Sequence, residues 1–159
     1  MIKQVTGNVL NSTENIICQS VNYQGVMGAG LAIQIVLTYP HIVDRRGNYI
    51  TTIREHSFEE IKRHGIVAWY TISENKFIAS IFGQENFGRK EMHTDYLSLA
   101  NGLSTVKLFA QEKNMSVAIP YGIGCGLGGG SWSVVKDIIK MCFSDSGVNV
   151  TIYRLEKYG

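Results

Sequence analysis

Two glycine-rich segments have the residue types and spacing that could do chemistry. The first is NYQGVMGAG at residues 22–30, and the second is YGIGCGLGGG at residues 121–130. Glycine permits positive φ and lets main-chain N–H groups approach a ligand closely, and consecutive N–H groups form a concave site for anions. Each segment precedes a predicted helix, whose N-terminus favours negative charge. Together they predict one site that binds the diphosphate of a nucleotide-type ligand.

Well-known phosphate motifs do not account for either segment. Neither contains the Gly-Lys-Ser/Thr of a Walker A loop. The first has the wrong glycine spacing for the dinucleotide fingerprint, and the second lies at the wrong end of the chain for it. Glycines can also serve only tight turns, and for a single loop that alternative is equally good. Two loops, each directly ahead of a helix, favour the anion site.

Few side chains near these loops are candidates for acid–base or nucleophilic chemistry. His93 is the histidine closest to a predicted loop of the site, where it could act as an acid, a base or a phosphate ligand, or have no role at all. Lys90 is either a site residue or a solvated charge. Cys125 lies within the second loop, where N–H groups could lower its pKa, but no base is adjacent in sequence. We therefore interpret Cys125 as a small residue that fits the turn.

Composition limits the class of protein. The 159 residues are the size of one domain, and we expect a single domain over residues 1–159. The net charge of +2 comes from scattered basic residues, so nucleic acid is not expected as a partner. Three cysteines without a CxxC pair indicate neither disulfides nor zinc. No signal peptide or membrane span is apparent, which predicts a cytoplasmic protein that does not bind membranes, and we expect a monomer.

The elements that must position the loops follow from apolar patterning and turn signals. Strands are predicted at 2–6, 15–21, 65–72, 76–82, 115–119 and 148–155, with a hairpin turn at 73–75. Helices are predicted at 31–38 and 42–55, from an N-cap at Thr94 to about residue 113, and from an N-cap at Ser131 to residue 143. Strands and helices alternate, so the fold class is α/β with a mixed, mostly parallel sheet. Both glycine loops then lie at the carboxyl ends of strands.

The chain also resembles a known family. GNVL at 7–10, VNYQGVMGAGLAIQIVLTYP at 21–40 and IPYGIGCGLGGGSW at 119–132 occur in the order found in macro domains. These segments are most similar to those of the divergent branch that holds the yeast-type ADP-ribose 1''-phosphate phosphatase, the human terminal ADP-ribose-glutamate hydrolase and bacterial antitoxins that reverse DNA ADP-ribosylation. The resemblance implies a three-layer α/β/α sandwich with ADP-ribose, or its 1''-phosphate, in a cleft above the sheet. It implies no cofactor and no metal.

Site residues are carried over from the matching segments. The family more often has Asp at the position of Asn8, and Asn keeps a carbonyl acceptor for the adenine amino group but loses the charge. The resemblance implies contacts with adenine from Gly7, Asn8 and Val9, with the distal ribose and diphosphate from Ser20, Asn22, Gly25, Val26, Met27, Gly28, Ala29 and Gly30, and with phosphate from Tyr121, Gly122, Ile123, Gly124, Cys125, Gly126 and Leu127.

Three activities are open on this resemblance. The glutamate hydrolase uses a lysine and an aspartate, where this chain has Gly83 or Gln84, and Gly128. Dephosphorylation of ADP-ribose 1''-phosphate is the preferred prediction, with Asn22 orienting water or ribose and His93 as a second candidate. The alternatives are removal of ADP-ribose from a macromolecule and binding of ADP-ribose without catalysis.

Overall fold

A six-stranded sheet is the central layer of the computed structural model, which describes residues 1–22, 30–42, 67–84, 95–125 and 130–155. Its strands are β1 (Ile2–Thr6), β2 (Ile16–Asn22), β3 (Val67–Ser73), β4 (Lys76–Gln84), β5 (Val117–Pro120) and β6 (Val150–Arg154). The helices are α1 (Gly30–Thr38), α2 (Tyr96–Lys113) and α3 (Trp132–Phe143). Short 3-10 turns cover Val9–Asn11 and Pro40–Ile42.

The strand order is β1-β6-β5-β2-β4-β3, and only the β3–β4 hairpin is antiparallel. The predicted mixed, mostly parallel sheet is therefore confirmed. Because β1 lies at one edge and β2 lies inside the sheet, residues 7–15 must cross β6 and β5 on the way between them. This crossing leads from the carboxyl end of β1 to the amino end of β2.

Alternating residues of the central strand β2 pack on opposite faces of the sheet, as the pleat requires. Ile16 and Cys18 belong to the core beneath α2 and α3 and are fully buried there. Ile17 and Val21 belong to the core beneath α1, together with Ile35. Both faces are thus covered by helices, which gives the α/β/α sandwich and explains the continuous apolar run in β2.

The predicted elements agree with the structure except at their ends. The N-cap of α2 is Asp95, so the prediction of Thr94 was wrong; the Asp95 carboxylate accepts from Ser98 N at 3.2 Å. Ser131 occupies the N-cap of α3 as predicted, but makes no side-chain capping bond. The helix predicted at 42–55 lies outside the described residues except for Ile42, which ends a 3-10 turn. No helix among the described segments is long and apolar enough to span a membrane.

Candidate functional site

The parallel strands end at one edge of the sheet, and most of the described site residues gather there. Gly7 follows β1, Tyr121 follows β5, and Asn22 is the last residue of β2. Neighbouring strands are joined beyond their ends, because Gly7 N donates to Arg154 O at 2.8 Å and Tyr121 N donates to Tyr153 O at 2.8 Å. The edge is therefore a continuous backbone platform from β1 to β5.

At the β1 end, Asn8 turns the chain into the crossing segment. Its Oδ1 accepts from Leu10 N at 2.9 Å and so caps the 3-10 turn that begins at Val9. An amide oxygen has two lone pairs, so this bond leaves one acceptor position on Asn8. Val9 is buried and anchors the turn in the core. Gly7 lies over Tyr153, whose ring carbon Cδ1 would be 3.5 Å from an added Cβ.

At the β5 end, the second glycine loop is held by tight turns. Gly122 and Gly124 have φ values of 78° and 76°, which is the left-handed region that glycine tolerates at low cost. Ile123 N donates to Pro120 O, and Cys125 N donates to Gly122 O at 2.7 Å. Gly130 N donates to Gly124 O at 2.9 Å, which closes the loop immediately ahead of α3. The amides of Ile123 and Cys125 are thus engaged within the loop itself.

Tyr121 is the centre of an aromatic and cationic cluster beside this loop. The guanidinium carbon of Arg154 lies 4.4 Å from the Tyr121 ring centroid, and the Trp132 ring lies 4.5 Å away. Contact with an aromatic face stabilises a cation and limits its rotamers. Arg154 therefore provides a positioned positive charge between the β1 end and the second loop. The sequence reasoning did not single out Arg154, although its position at the end of the last strand was a usable signal.

At the ends of β2 and β4 a β-bulge makes room for Ser20. Val21 pairs with Phe82 and Asn22 pairs with Gln84, so Gly83 is the extra residue of β4. A Cβ on Gly83 would be 2.8 Å from Ser20 Oγ and 3.3 Å from Leu99 Cβ. Ser20 Oγ is buried and has no hydrogen-bond partner among the described residues. A side chain at Gly83, such as the lysine of the glutamate hydrolases, would therefore crowd Ser20 and Leu99.

Hydrogen bonds connect this bulge to the second loop through α2. Gly83 O accepts from Asp95 N at 2.7 Å, so the bulge fixes the start of α2. The next residue, Tyr96, accepts from Ser131 N at 2.8 Å through its hydroxyl oxygen. This bond satisfies one of the N–H groups at the beginning of α3. These two hydrogen bonds connect the end of β4 to the start of α2 and the start of α2 to the start of α3.

Gln19 is a buried polar residue of β2, and Cys125 is a partly buried residue of the second loop. Gln19 is 2% exposed, and its Nε2 donates to Ser80 Oγ at 2.8 Å while its Oε1 has no partner in the described part of the chain. Burial raises the pKa of the Cys125 thiol, which is opposite to the lowering that nearby N–H groups would cause. Cys125 Sγ contacts Ile123 O at 3.5 Å. Cys125 is thus a protonated thiol within the turn rather than an activated nucleophile.

Part of the predicted site lies outside the described residues. The structure brings Gly7, Asn8, Tyr121 and the backbone of Asn22 to the same edge, while Ser20 lies just below it. Gly30 begins α1, as the first loop requires. The predicted residues outside the described ranges are Gly25, Val26, Met27, Gly28, Ala29, Gly126, Leu127 and His93.

The arrangement suits an elongated anionic ligand. The β1 and β2 ends are three strand spacings apart, which is about 14 Å along the edge. Glycine turns lie at β5, between these ends, and Arg154 adds a positive charge beside them. No group of three or more metal-ligating side chains occurs in the part of the chain that the structure describes.

One curated relative matches nearly the whole chain. A DNA ADP-ribosyl glycohydrolase from Thermus aquaticus is 28% identical over 155 residues, which are 96% of this chain and 41% of the relative. The chain therefore spans about two fifths of the length of that curated protein. The sequence matches no family model.

Solved structures share the architecture. The macrodomain of Mycobacterium tuberculosis DarG has a TM-score of 0.70 at 24% identity, with 96% of this chain and 97% of that chain covered. Thermosipho africanus DarTG, solved in complex with ADP-ribose, has a TM-score of 0.71 at 21% identity, with 98% of this chain and 42% of that chain covered. Both similarities therefore extend over nearly the whole of this chain. This chain has the macrodomain fold.

Proposed function

We propose that this chain binds ADP-ribose at the carboxyl edge of its sheet and hydrolyses the bond that links ADP-ribose to a macromolecule, with DNA-linked ADP-ribose as the first substrate to test. The observation that carries this proposal is the 28% identity over 96% of the chain with a DNA ADP-ribosyl glycohydrolase. The complex of the Thermosipho relative with ADP-ribose supports the choice of ligand.

The geometry supports an orientation for the ligand. Adenine would lie at Gly7, Asn8 and Val9, the diphosphate near the second glycine loop, and the distal ribose near the end of β2. Arg154 would offset charge of the diphosphate, because its guanidinium lies beside Tyr121. The edge offers about 14 Å between the first and last of these positions, which suits a ligand that is long rather than compact.

Hydrolysis would take place at the distal ribose, beside Asn22. Water would attack the anomeric carbon of that ribose, the bond to the macromolecule would break, and a proton would reach the leaving group. Asn22 pairs with Gln84 in the sheet, so two amide-bearing residues occupy adjacent strand ends. An amide that orients water or the ribose hydroxyls contributes by positioning. A side chain at Gly83 would crowd Ser20 and Leu99, which argues against the covalent lysine route at that position.

Dephosphorylation of ADP-ribose 1''-phosphate is the competing activity, and one experiment separates the candidates. The protein is incubated with single-stranded DNA carrying ADP-ribose, with a glutamate-modified protein and with ADP-ribose 1''-phosphate. Release of ADP-ribose and of phosphate is measured by chromatography. We expect release from DNA and slow or no release from glutamate. Phosphate release without release from DNA would establish the phosphatase instead, and binding of ADP-ribose without either product would establish a reader.

A further inference from the structure

A basic groove lies at the amino end of β1, the end opposite to the proposed ligand site. It has a volume of about 690 Å³ and lies between the start of β1 and α3. Three lysines line it, Lys3 from the strand and Lys136 and Lys140 from the helix, together with one acidic residue, Asp145. In sequence Lys3 is far from the other two, so the groove is a product of the fold.

The three lysines are not neutralised by the protein around them. None of their side-chain ammonium groups forms a hydrogen bond or an ion pair with any residue that the structure describes. Lys136 and Lys140 are four residues apart on α3, which places their side chains side by side on one face of the helix. Three lysines against one acidic residue, Asp145, give the groove a net positive charge, which an anionic ligand would offset.

The floor of the groove distinguishes it from a pocket for a compact anion. Ile2, Phe143 and Ile152 contribute apolar surface, and Gln4 and Ser144 contribute polar surface. A lysine ammonium group is a mobile point charge that serves phosphate without fixed geometry, whereas arginine would impose a planar fork. Several non-directional contacts of this kind along one groove suit a repeated phosphodiester better than a single phosphate group.

We propose that this groove binds the phosphodiester backbone of a nucleic-acid strand. Lys3 precedes Gly7 by four residues in an extended strand, so about 13 Å separate the groove from the ligand edge. A single nucleic-acid strand could therefore contact the lysines while a modified base on it reaches the ligand edge. The identification of this nucleic acid as the substrate rests on the proposed function, whereas binding of nucleic acid by the groove does not. The proposal departs from the expectation drawn from the small net charge.

The test is the binding of a fluorescently labelled, unmodified single-stranded DNA oligonucleotide, followed by anisotropy at several salt concentrations. The variant K136Q/K140Q removes two groove charges, and the matched control K107Q/K113Q removes two charges from α2, outside the groove lining. Each phosphate contact contributes about 0.7 to the slope of log affinity against log salt for single strands, so K136Q/K140Q should reduce the slope by about 1.4. The control should leave the slope unchanged, and adding K3Q should reduce it further.

Each outcome has a defined meaning. Equal effects of the two double variants, or no DNA binding by the unmodified protein, would overturn the groove proposal. Displacement of the DNA by poly-glutamate at equal charge concentration would overturn it in favour of an acidic protein partner. Titration with free ADP-ribose separates the two proposals, because the groove variants should bind it normally. Groove-dependent DNA binding by a protein that binds no ADP-ribose would leave this proposal standing and overturn the proposed function.

Discussion

Gly122 and Gly147 have almost the same backbone conformation but lie at opposite ends of the sheet. Their φ values are 78° and 77°, and an added Cβ would meet no atom within 4 Å at either residue. Gly122 follows β5 in the second loop, whereas Gly147 precedes β6. They form a matched pair in which strain is the same and only the location differs.

We expect Gly122→Ala and Gly147→Ala to lower the free energy of unfolding by similar amounts, about 1–2 kcal/mol, because alanine is strained at positive φ. Only Gly122→Ala should weaken ADP-ribose binding, since only its turn shapes the ligand edge. Urea unfolding and calorimetric titration of both variants measure the two effects. Equal losses of affinity would show that the second loop is not part of the site.

Asn22 ends β2, and its proposed role is in the chemical step. We expect Asn22→Ala to reduce turnover on the substrate identified above by roughly a hundredfold, the usual effect of losing an orienting or charge-stabilising group. Affinity for ADP-ribose should fall by only about 1 kcal/mol, the contribution of one uncharged hydrogen bond. Steady-state product release and a binding titration measure these separately.

The control for Asn22 lies at the opposite end of the same strand. Asn15 bonds to Ser116 and donates to Asn75 O at 2.9 Å, so Asn15→Ala should reduce stability and leave turnover per folded molecule unchanged. If Asn22→Ala and the parent protein have equal turnover, Asn22 only shapes the turn, and the chemistry must be sought between Gln84 and His93.

At the scale of elements, the bulge in β4 couples two strands and a helix. Gly83 leaves the space that Ser20 Oγ occupies, and its carbonyl accepts from the first residue ahead of α2. The bulge therefore sets both the shape of the strand ends and the position of α2. This coupling can be measured as a pairwise interaction energy.

We expect Gly83→Ala to destabilise the fold by about 1–3 kcal/mol, because the new Cβ would overlap Ser20 Oγ and crowd Leu99. Ser20→Ala alone should be neutral or slightly stabilising, since it removes a buried hydroxyl without a partner in the described chain. The double variant should recover part of the loss. Chemical denaturation of all four proteins gives the cycle, and strict additivity would contradict the proposed contact.

The crossing segment between β1 and β2 is held by a second cluster at Tyr153. The Tyr153 hydroxyl donates to both Glu14 carboxylate oxygens at 2.7 Å, and Lys76 Nζ donates to Ser12 O and Glu14 O. Burial first, and then Glu14, raise the pKa of Tyr153 above its ordinary value of 10.0. Burial lowers the pKa of Lys76, although Glu14 partly opposes this.

These pKa shifts predict how stability depends on pH. A tyrosine whose folded pKa is raised stabilises the fold fully below its unfolded value, and that contribution is lost as pH rises through the folded pKa. We expect Tyr153→Phe to lose about 1 kcal/mol at neutral pH, from the loss of a hydrogen bond to a carboxylate. The gap between the two proteins should shrink above pH 10. Urea unfolding across this range measures the gap, and a gap that widens with pH would contradict the Tyr153–Glu14 bond.

At the scale of the whole molecule, the proposed ligand site lies at the carboxyl ends of the strands in the α/β/α sandwich. Helices cover both faces, so the strand ends, with their turns, are where backbone groups can meet a ligand. The sequence that forms this edge comes from both halves of the chain. A ligand that contacts all of it must be long.

We expect ADP-ribose to bind at least about tenfold more tightly than AMP, which corresponds to about 1.4 kcal/mol. The reason is that AMP would contact the β1 end and one phosphate position, whereas ADP-ribose would also reach the β2 end. Calorimetric titrations under one set of conditions compare the two ligands, with NAD and ATP as further controls. Equal affinities would remove the distal ribose position from the site.

The sequence by itself determined the features that depend on neighbouring residues. Apolar runs bounded by turn residues predicted every described strand and helix, with differences at their ends. The alternation of these elements predicted the mixed sheet, and glycine spacing predicted two loops at strand ends. Such features follow from local backbone preferences and from the periodicity of buried side chains.

Only the tertiary structure decided which distant residues meet. The stacking of Arg154 on Tyr121, the fit of Ser20 into the bulge at Gly83, and the joining of Lys3 with Lys136 and Lys140 all depend on strand order and register. A one-residue change of register would reverse the face of each strand residue, and nothing local in the sequence specifies β1 as the neighbour of β6. The carboxyl ends of the strands could therefore be proposed as the ligand site from the sequence, whereas the charges and contacts around them required the fold.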